Sequence, residues 1–184
     1  MLRRFLPFFS LVLTVTSFPS PSVASPPPDE TVTCDVLVAG GGLAGAATAY
    51  ESLLSGKTVC VTELTDWLGG QISSQGTSAL DERTTQRSLL FFPRGYLELR
   101  SRIEEYYGEL NPGECWVSAS CFIPADAHKI LTEQLLAAEK EGGGTLKWFP
   151  STVIKEVERN LQGNLIETVT AIQHQPAAGA SPLN

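Results

Sequence analysis

A short apolar run, Val36-Leu-Val-Ala39, breaks into Gly40-Gly-Gly42. It continues through Leu43-Ala-Gly45-Ala-Ala47, and a second apolar run, Val59-Cys-Val-Thr62, ends in Glu63. No other feature restricts the fold as much. An apolar strand, a glycine turn at G-x-G-x-x-G spacing (Gly40, Gly42, Gly45), a small-residue helix and a second strand closed by an acid form a βαβ unit built around a dinucleotide. Gly40 permits the sharp exit from the strand at positive φ. Gly42 keeps the backbone open to a pyrophosphate, and Gly45 lets the helix lie close to the strand. The helix begins at Leu43 and Ala44, so its unpaired N–H groups and positive dipole end suit a diphosphate. Leu43, Ala46, Ala47, Tyr50, Leu53 and Leu54 fall at helical spacing and are expected to face the sheet. Gly56 is the expected stop. Glu63 follows Gly45 by eighteen residues. A carboxylate there accepts from ribose hydroxyls and repels a 2′-phosphate, which favours FAD or NAD over NADP. A bare glycine turn that packs a helix on a strand would explain the glycines but not Glu63.

The first residues stand apart from this unit. Arg3 and Arg4 precede an apolar stretch from Phe5 to Phe18, and Ser22-Val-Ala24 is a small-residue cleavage site. Residues 1–24 read as an export signal, with an uncleaved anchor as the alternative. The stretch is short for a membrane span and is interrupted by Pro7, so no stable insertion is expected after cleavage. The arginine pair hints at twin-arginine export. Residues 25–31, with three consecutive prolines, form a stiff linker. The domain proper is placed at 32–174, and 175–184 is expected to be a loose tail. The formal charge is −7, and loss of Arg3 and Arg4 with the signal makes it −9. Nucleic acid is therefore not an expected partner, because such binding rests on basic phosphate contacts.

Of the four cysteines, Cys34 and Cys60 fall on expected strands and read as small apolar fillers. Cys115 and Cys121 are placed to close a short disulfide loop in an oxidising compartment. A redox pair is the other reading, although the spacing is not CxxC. No cysteine or histidine cluster stands at zinc-ligand spacing, so no metal site is expected. His128 reads as a partly packed helical histidine rather than a catalytic one.

Further along, Leu64 to Gln71 reads as a turn in which Gly69 and Gly70 allow close approach to a ligand. Ile72 to Glu82 reads as a polar cofactor-lining loop, neither strand nor helix. Residues 84–94 have no clear period. Tyr96, Leu99, Ile103 and Tyr106 define a helix that ends at Gly108. A second helix runs from Pro124 to about Glu141, buries Ala127, Ile130, Leu131, Leu135 and Ala138, and stops at Gly142-Gly-Gly144. Thr145–Phe149 is the next parallel strand. Segments 152–158 and 165–172 form an antiparallel hairpin attached to the sheet.

Together these residues resemble the FAD-dependent oxidoreductases of the glutathione-reductase-like fold, and in particular a bacterial family known simply as FAD-dependent oxidoreductase. The resemblance runs from about Cys34 to Ile172. Its specific part is Glu63 followed by Leu68-Gly-Gly-Gln71, Ser74-Gln-Gly76 and Ala79-Leu-Asp-Glu82, together with Asn111-Pro-Gly-Glu-Cys-Trp-Val-Ser118. It implies an α/β fold: a Rossmann-like FAD-binding domain with a parallel sheet, helices and a small antiparallel meander. By position, Gly40, Gly42, Leu43, Ala44 and Gly45 would hold the pyrophosphate, and Glu63 the adenosine ribose. Gly69, Gly70 and Gln71 would run beside the ribityl chain. Ser74 and Gln75, with Gly76, would approach the isoalloxazine.

The family's pattern continues into a strand ending in an Ala-Thr-Gly turn, a substrate domain and a returning flavin-binding segment. None of these occurs in this sequence, so the fold is expected to be incomplete at its C-terminus and the chain to be an N-terminal portion. The implied function is transfer of a hydride or electron pair between flavin and an unknown substrate, with unknown catalytic residues and oligomeric state. The alternatives are a non-catalytic dinucleotide-binding fragment that needs a further segment or partner chain, and an NAD-binding module. Leu68-Gly-Gly-Gln71 counts against the NAD module.

Overall fold

The structure, a computed structural model, describes residues 27–175. The expected signal at 1–24 and all but the first residue of the expected tail lie outside them. Residues 33–175 form one compact unit.

Three short strands, β1 (Val36–Ala39), β2 (Thr58–Thr62) and β3 (Thr145–Phe149), form a parallel sheet in the order β1-β2-β3. Val38 faces Val61, and Val61 faces Trp148. Parallel neighbours require crossovers, and helices supply them. Helix α1 (Leu43–Leu54) links β1 to β2. Two longer helices, α3 (Arg94–Tyr107) and α4 (Pro124–Gly142), precede β3, with a six-residue helix, α2 (Thr84–Leu89), before them. α1 packs on β1 and β2 and against α4, and α3 packs against both α4 and α1. Leu53, Val59, Val61, Ile103, Ile130 and Leu135 are at the centre, each at most 2% exposed. Each large side chain buried there contributes about 1.5–3 kcal/mol.

The helix ends follow their local sequence. Pro124 opens α4, Asp126 lies in its first turn and Lys140 in its last, each matched to the helix dipole. The run Gly142-Gly-Gly144 also serves the packing. A Cβ at Gly142 or Gly144 would sit 2.2 or 2.7 Å from the Leu53 carbonyl, so the end of α4 lies directly on the end of α1.

The hairpin of β4 (Thr152–Arg159) and β5 (Ile166–Gln173) is a separate antiparallel sheet, with register shifts between Ile154 and Glu156 and between Glu158 and Arg159. Its link to the parallel layer is backbone: Thr152 N–H donates to Glu63 O (2.7 Å) and Ser151 N–H to Thr65 O (2.9 Å). The mixed α/β class with a parallel sheet and an antiparallel pair therefore stands as expected.

Several expectations need correction. Ala47 is exposed, and Ala49 takes the buried position on α1. Tyr106 is 41% exposed. Tyr107 instead packs on the core, with its hydroxyl donating to Asp126. The small size of alanine and the split polarity of tyrosine give periodicity little to read at these two places. Segment 72–82 is a loop as expected, entered by a 3-10 turn at Gly70–Ile72, but it is not a surface loop throughout. Its residues Ile72, Ser73 and Leu80 are buried. Cys34 lies just before β1 and forms a disulfide with Cys60. Those two sulfurs are thus a cross-link and not free apolar thiols. Cys115 and Cys121 form the second bond.

Candidate functional site: two glycine turns at a helix N-terminus

At the end of β1, Gly40 has φ +112° and turns the chain toward α1. Such a conformation strains any residue with a Cβ. A Cβ on Gly45 would lie 1.9 Å from the Gly40 carbonyl oxygen and 3.1 Å from Val38 Cγ1. The helix therefore touches the turn it leaves. Gly42 is different: its φ is −63° and a Cβ there would meet nothing within 4 Å. The close-packing and open positions are those expected from the spacing.

Gly42 is the N-cap of α1. No side chain caps the helix, and its first turn carries no acid. Ala46 N–H is taken by Gly42 O (2.8 Å), so the amides of the first turn, Leu43 to Gly45, have no intrahelical acceptor. These N–H groups need an outside acceptor, and the dipole favours an anion.

A second turn lies against the first. Gly69 N–H donates to Gly41 O (2.8 Å), and Gly42 and Gly69 pair like neighbouring parallel strands. Gly69 and Gly70 have φ of +115° and +55°, and a Cβ on Gly70 would be 2.9 Å from Gly42 Cα. The 3-10 turn follows. Ser74 is half-buried and its hydroxyl donates to Gly70 O (3.4 Å). The Gln75 N–H donates to the same carbonyl (3.0 Å). The Gln71 and Gln75 side chains are exposed.

Glu63 stands at the end of β2. Its Oε2 accepts Gly41 N–H (2.8 Å) and its Oε1 accepts Thr65 N–H (3.0 Å). Two backbone donors therefore orient the carboxylate beside the first glycine turn. Position 41 is tightly packed as well, because a Cβ there would press on Glu63 Cβ at 3.0 Å, Leu68 Cδ1 at 3.1 Å and Trp148 Cζ3 at 3.2 Å. A half-open cleft of about 60 Å³ lies between α1, α3 and α4, lined by Leu43, Ala46, Leu99, Leu131 and Gln134. It is too small for a nucleotide.

Two groups have partners that the sequence reading did not supply. His128, on α4, accepts the Leu68 N–H at Nδ1 (2.9 Å) and stacks on Trp67. Burial lowers its pKa below the ordinary value of 6.5, with Asp66 opposing the shift. Glu82 ends the polar loop with a side chain only 1% exposed. It pairs with Arg100 on α3 (2.7 Å) and accepts the Tyr96 hydroxyl (3.2 Å). Burial and Glu82 raise the Tyr96 pKa. Neither partner is within reach by local spacing, so no periodic signal could have paired them.

A βαβ unit with a glycine turn at its helix N-terminus and an acid at the end of its second strand defines a dinucleotide-binding α/β protein. Residues 35–180 match the family model for FAD dependent oxidoreductases, and the chain belongs to that family. Among solved structures it is similar to THI4 of Thermovibrio ammonificans, at 16% identity and a TM-score of 0.43, covering 76% of this chain and 48% of that one. It is also similar to aklavinone-11 hydroxylase in a ternary complex with FAD and aklavinone, at 16% identity and a TM-score of 0.45, covering 78% and 30%. A third is NikD, an amino acid oxidase of nikkomycin biosynthesis, at 16% identity and a TM-score of 0.39, covering 71% and 46%. The chain spans less than half the length of each. No curated protein matches it in sequence.

Proposed function

We propose that this domain binds FAD across the two glycine turns and serves an oxidoreductase reaction in which a hydride or electron pair passes between flavin and a small-molecule substrate. The observation that carries the reading is the Gly69 N–H to Gly41 O bond, which joins both turns into one backbone surface beside the uncapped start of α1. In this reading Gly40, Gly42, Leu43, Ala44 and Gly45 face the diphosphate. Glu63, already oriented by Gly41 and Thr65, takes the adenosine ribose. Gly69, Gly70 and Gln71 flank the ribityl chain, and Ser74 and Gln75 approach the flavin ring. Bound flavin would supply the redox chemistry. The protein's part is to position it, to match the diphosphate charge and to exclude a 2′-phosphate by the Glu63 carboxylate. Export belongs to the same proposal. Disulfides persist in oxidising compartments, and all four cysteines are paired.

The test is a titration of the purified chain with FAD, followed by flavin fluorescence and by bands near about 370 and 450 nm. Gly42→Val fills the space left open beside the helix start. Its expected effect is a loss of about a hundredfold in FAD affinity, with a stability loss of no more than about 1 kcal/mol. Equal affinity of parent and variant would overturn the assignment. A parent chain that takes up ADP but not FAD would instead favour a nucleotide-binding unit without redox chemistry of its own.

A further inference from the structure

Leu68 immediately precedes the second glycine turn, and it is 2% exposed. A buried backbone N–H needs an acceptor. Here the acceptor comes from sixty residues away: Nδ1 of His128, at 2.9 Å. The same imidazole lies parallel to Trp67, with ring centroids 5.8 Å apart and planes 4° apart. Leu131, three residues further along α4, stands behind the turn, where a Cβ on Gly69 would come within 2.9 Å of its Cδ1. Gly69 in turn gives its N–H to Gly41 O. A continuous line of contacts thus runs from α4 through Leu68 and Gly69 to the first glycine turn. Since Nδ1 accepts, the ring is neutral and carries its proton on Nε2.

We propose that His128 is a positioning residue of the nucleotide site, holding the Leu68–Gly70 turn at the height where its backbone meets the same ligand as Gly41 and Gly42. The proposal rests on the nucleotide-binding reading above. It gives His128 no contact with reacting atoms. Two properties of the side chain are used, and they can be separated. Phenylalanine keeps a flat ring against Trp67 but offers no acceptor. Asparagine gives up the ring but places Oδ1, bonded to Cγ as Nδ1 is, where the acceptor stood.

The experiment compares His128→Phe and His128→Asn in the full chain, by FAD titration and by amide hydrogen exchange. His128→Asn is expected to bind FAD within about threefold of the parent and to keep Leu68 protected. His128→Phe is expected to bind about tenfold more weakly and to exchange the Leu68 and Gly69 amides about tenfold faster, with β2 amides unchanged. Parent-like FAD affinity and Leu68 protection in His128→Phe would overturn the proposal. So would equal losses in both variants accompanied by faster exchange throughout β2, because that is the mark of a merely structural residue. If His128→Phe fails to fold, the asparagine variant decides: a protected Leu68 supports the proposal, and a rapidly exchanging one overturns it. A parent chain that binds no FAD would sink the nucleotide reading, while the exchange comparison still reports on the turn.

Discussion

The two glycine turns face the same space but are held by different means. The first is shaped mainly by its own residues: Gly40 supplies the bend, Gly45 packs on the Gly40 carbonyl, and Ala46 N–H closes on Gly42 O, all within seven residues of chain, while the Gly40 and Gly41 N–H groups are tied to Thr62 O and Glu63 Oε2 at the end of β2. The second depends on remote partners. Gly41 accepts its amide, Leu131 stands behind Gly69, and His128 accepts the N–H of Leu68. One backbone surface is therefore assembled from a segment shaped mainly by its own residues and a segment that is put in place. Mutations in the first should act on folding or on binding according to which glycine is touched. Mutations around the second should act on both.

The sharpest break of this contrast is Gly45→Val. The valine would meet backbone that cannot retreat, and we expect a loss of about 4 kcal/mol or more, read as a shift of the urea midpoint or failure to fold. Leu131→Ala comes next. It removes a core side chain that is 3% exposed, at a cost of about 3 kcal/mol, and it leaves a void behind Gly69. Affinity for FAD should fall further than the stability loss alone accounts for, and a variant that is destabilised yet binds normally would separate the second turn from α4.

A smaller effect is expected with pH. The folded-state pKa of His128 lies below 6.5, chiefly through burial. The unfolded chain therefore binds the proton more readily, and stability rises with pH across the interval between the two values. This contribution is complete above about pH 6.5 and is lost as pH falls through the lowered folded value. The negative charge of Asp66 works against the shift. Unfolding midpoints of parent and His128→Asn should draw together in acid, and parallel curves would contradict the neutral-acceptor assignment. The smallest change in stability is expected for Gly42→Ala. Its Cβ enters open space at an ordinary φ, so the midpoint should move by no more than about 0.5 kcal/mol while FAD affinity falls.

The elements that were legible in the sequence are those with a local cause. The strands β1 and β2 are β-branched runs, α1 starts at a glycine turn, and α4 is bracketed by Pro124 and Gly143. All five apolar residues expected to line α4 are buried. Residues 84–94 had no period to read because the helix there is one and a half turns long and buries nothing. Gln134 illustrates the reverse. It lies on the apolar face of α4, 3% exposed, with Nε2 donating to Gly95 O (2.9 Å), a partner only the packing of α3 on α4 provides. Cys34 and Cys60 read separately as fillers because spacing alone does not show that the approach to β1 passes beside the middle of β2.

What the sequence determined by itself is the βαβ unit, the order of its glycines and the acid at the end of its second strand. Positive φ, the lack of a Cβ and β-branching act within a few residues, so they can be read from a linear string. Tertiary structure alone decided how the second turn is seated, that Cys34 pairs with Cys60, and that Glu82 is buried against Arg100. Each of those depends on groups that meet only after the helices have packed, when a buried N–H, thiol or carboxylate must find its partner among residues tens of positions away.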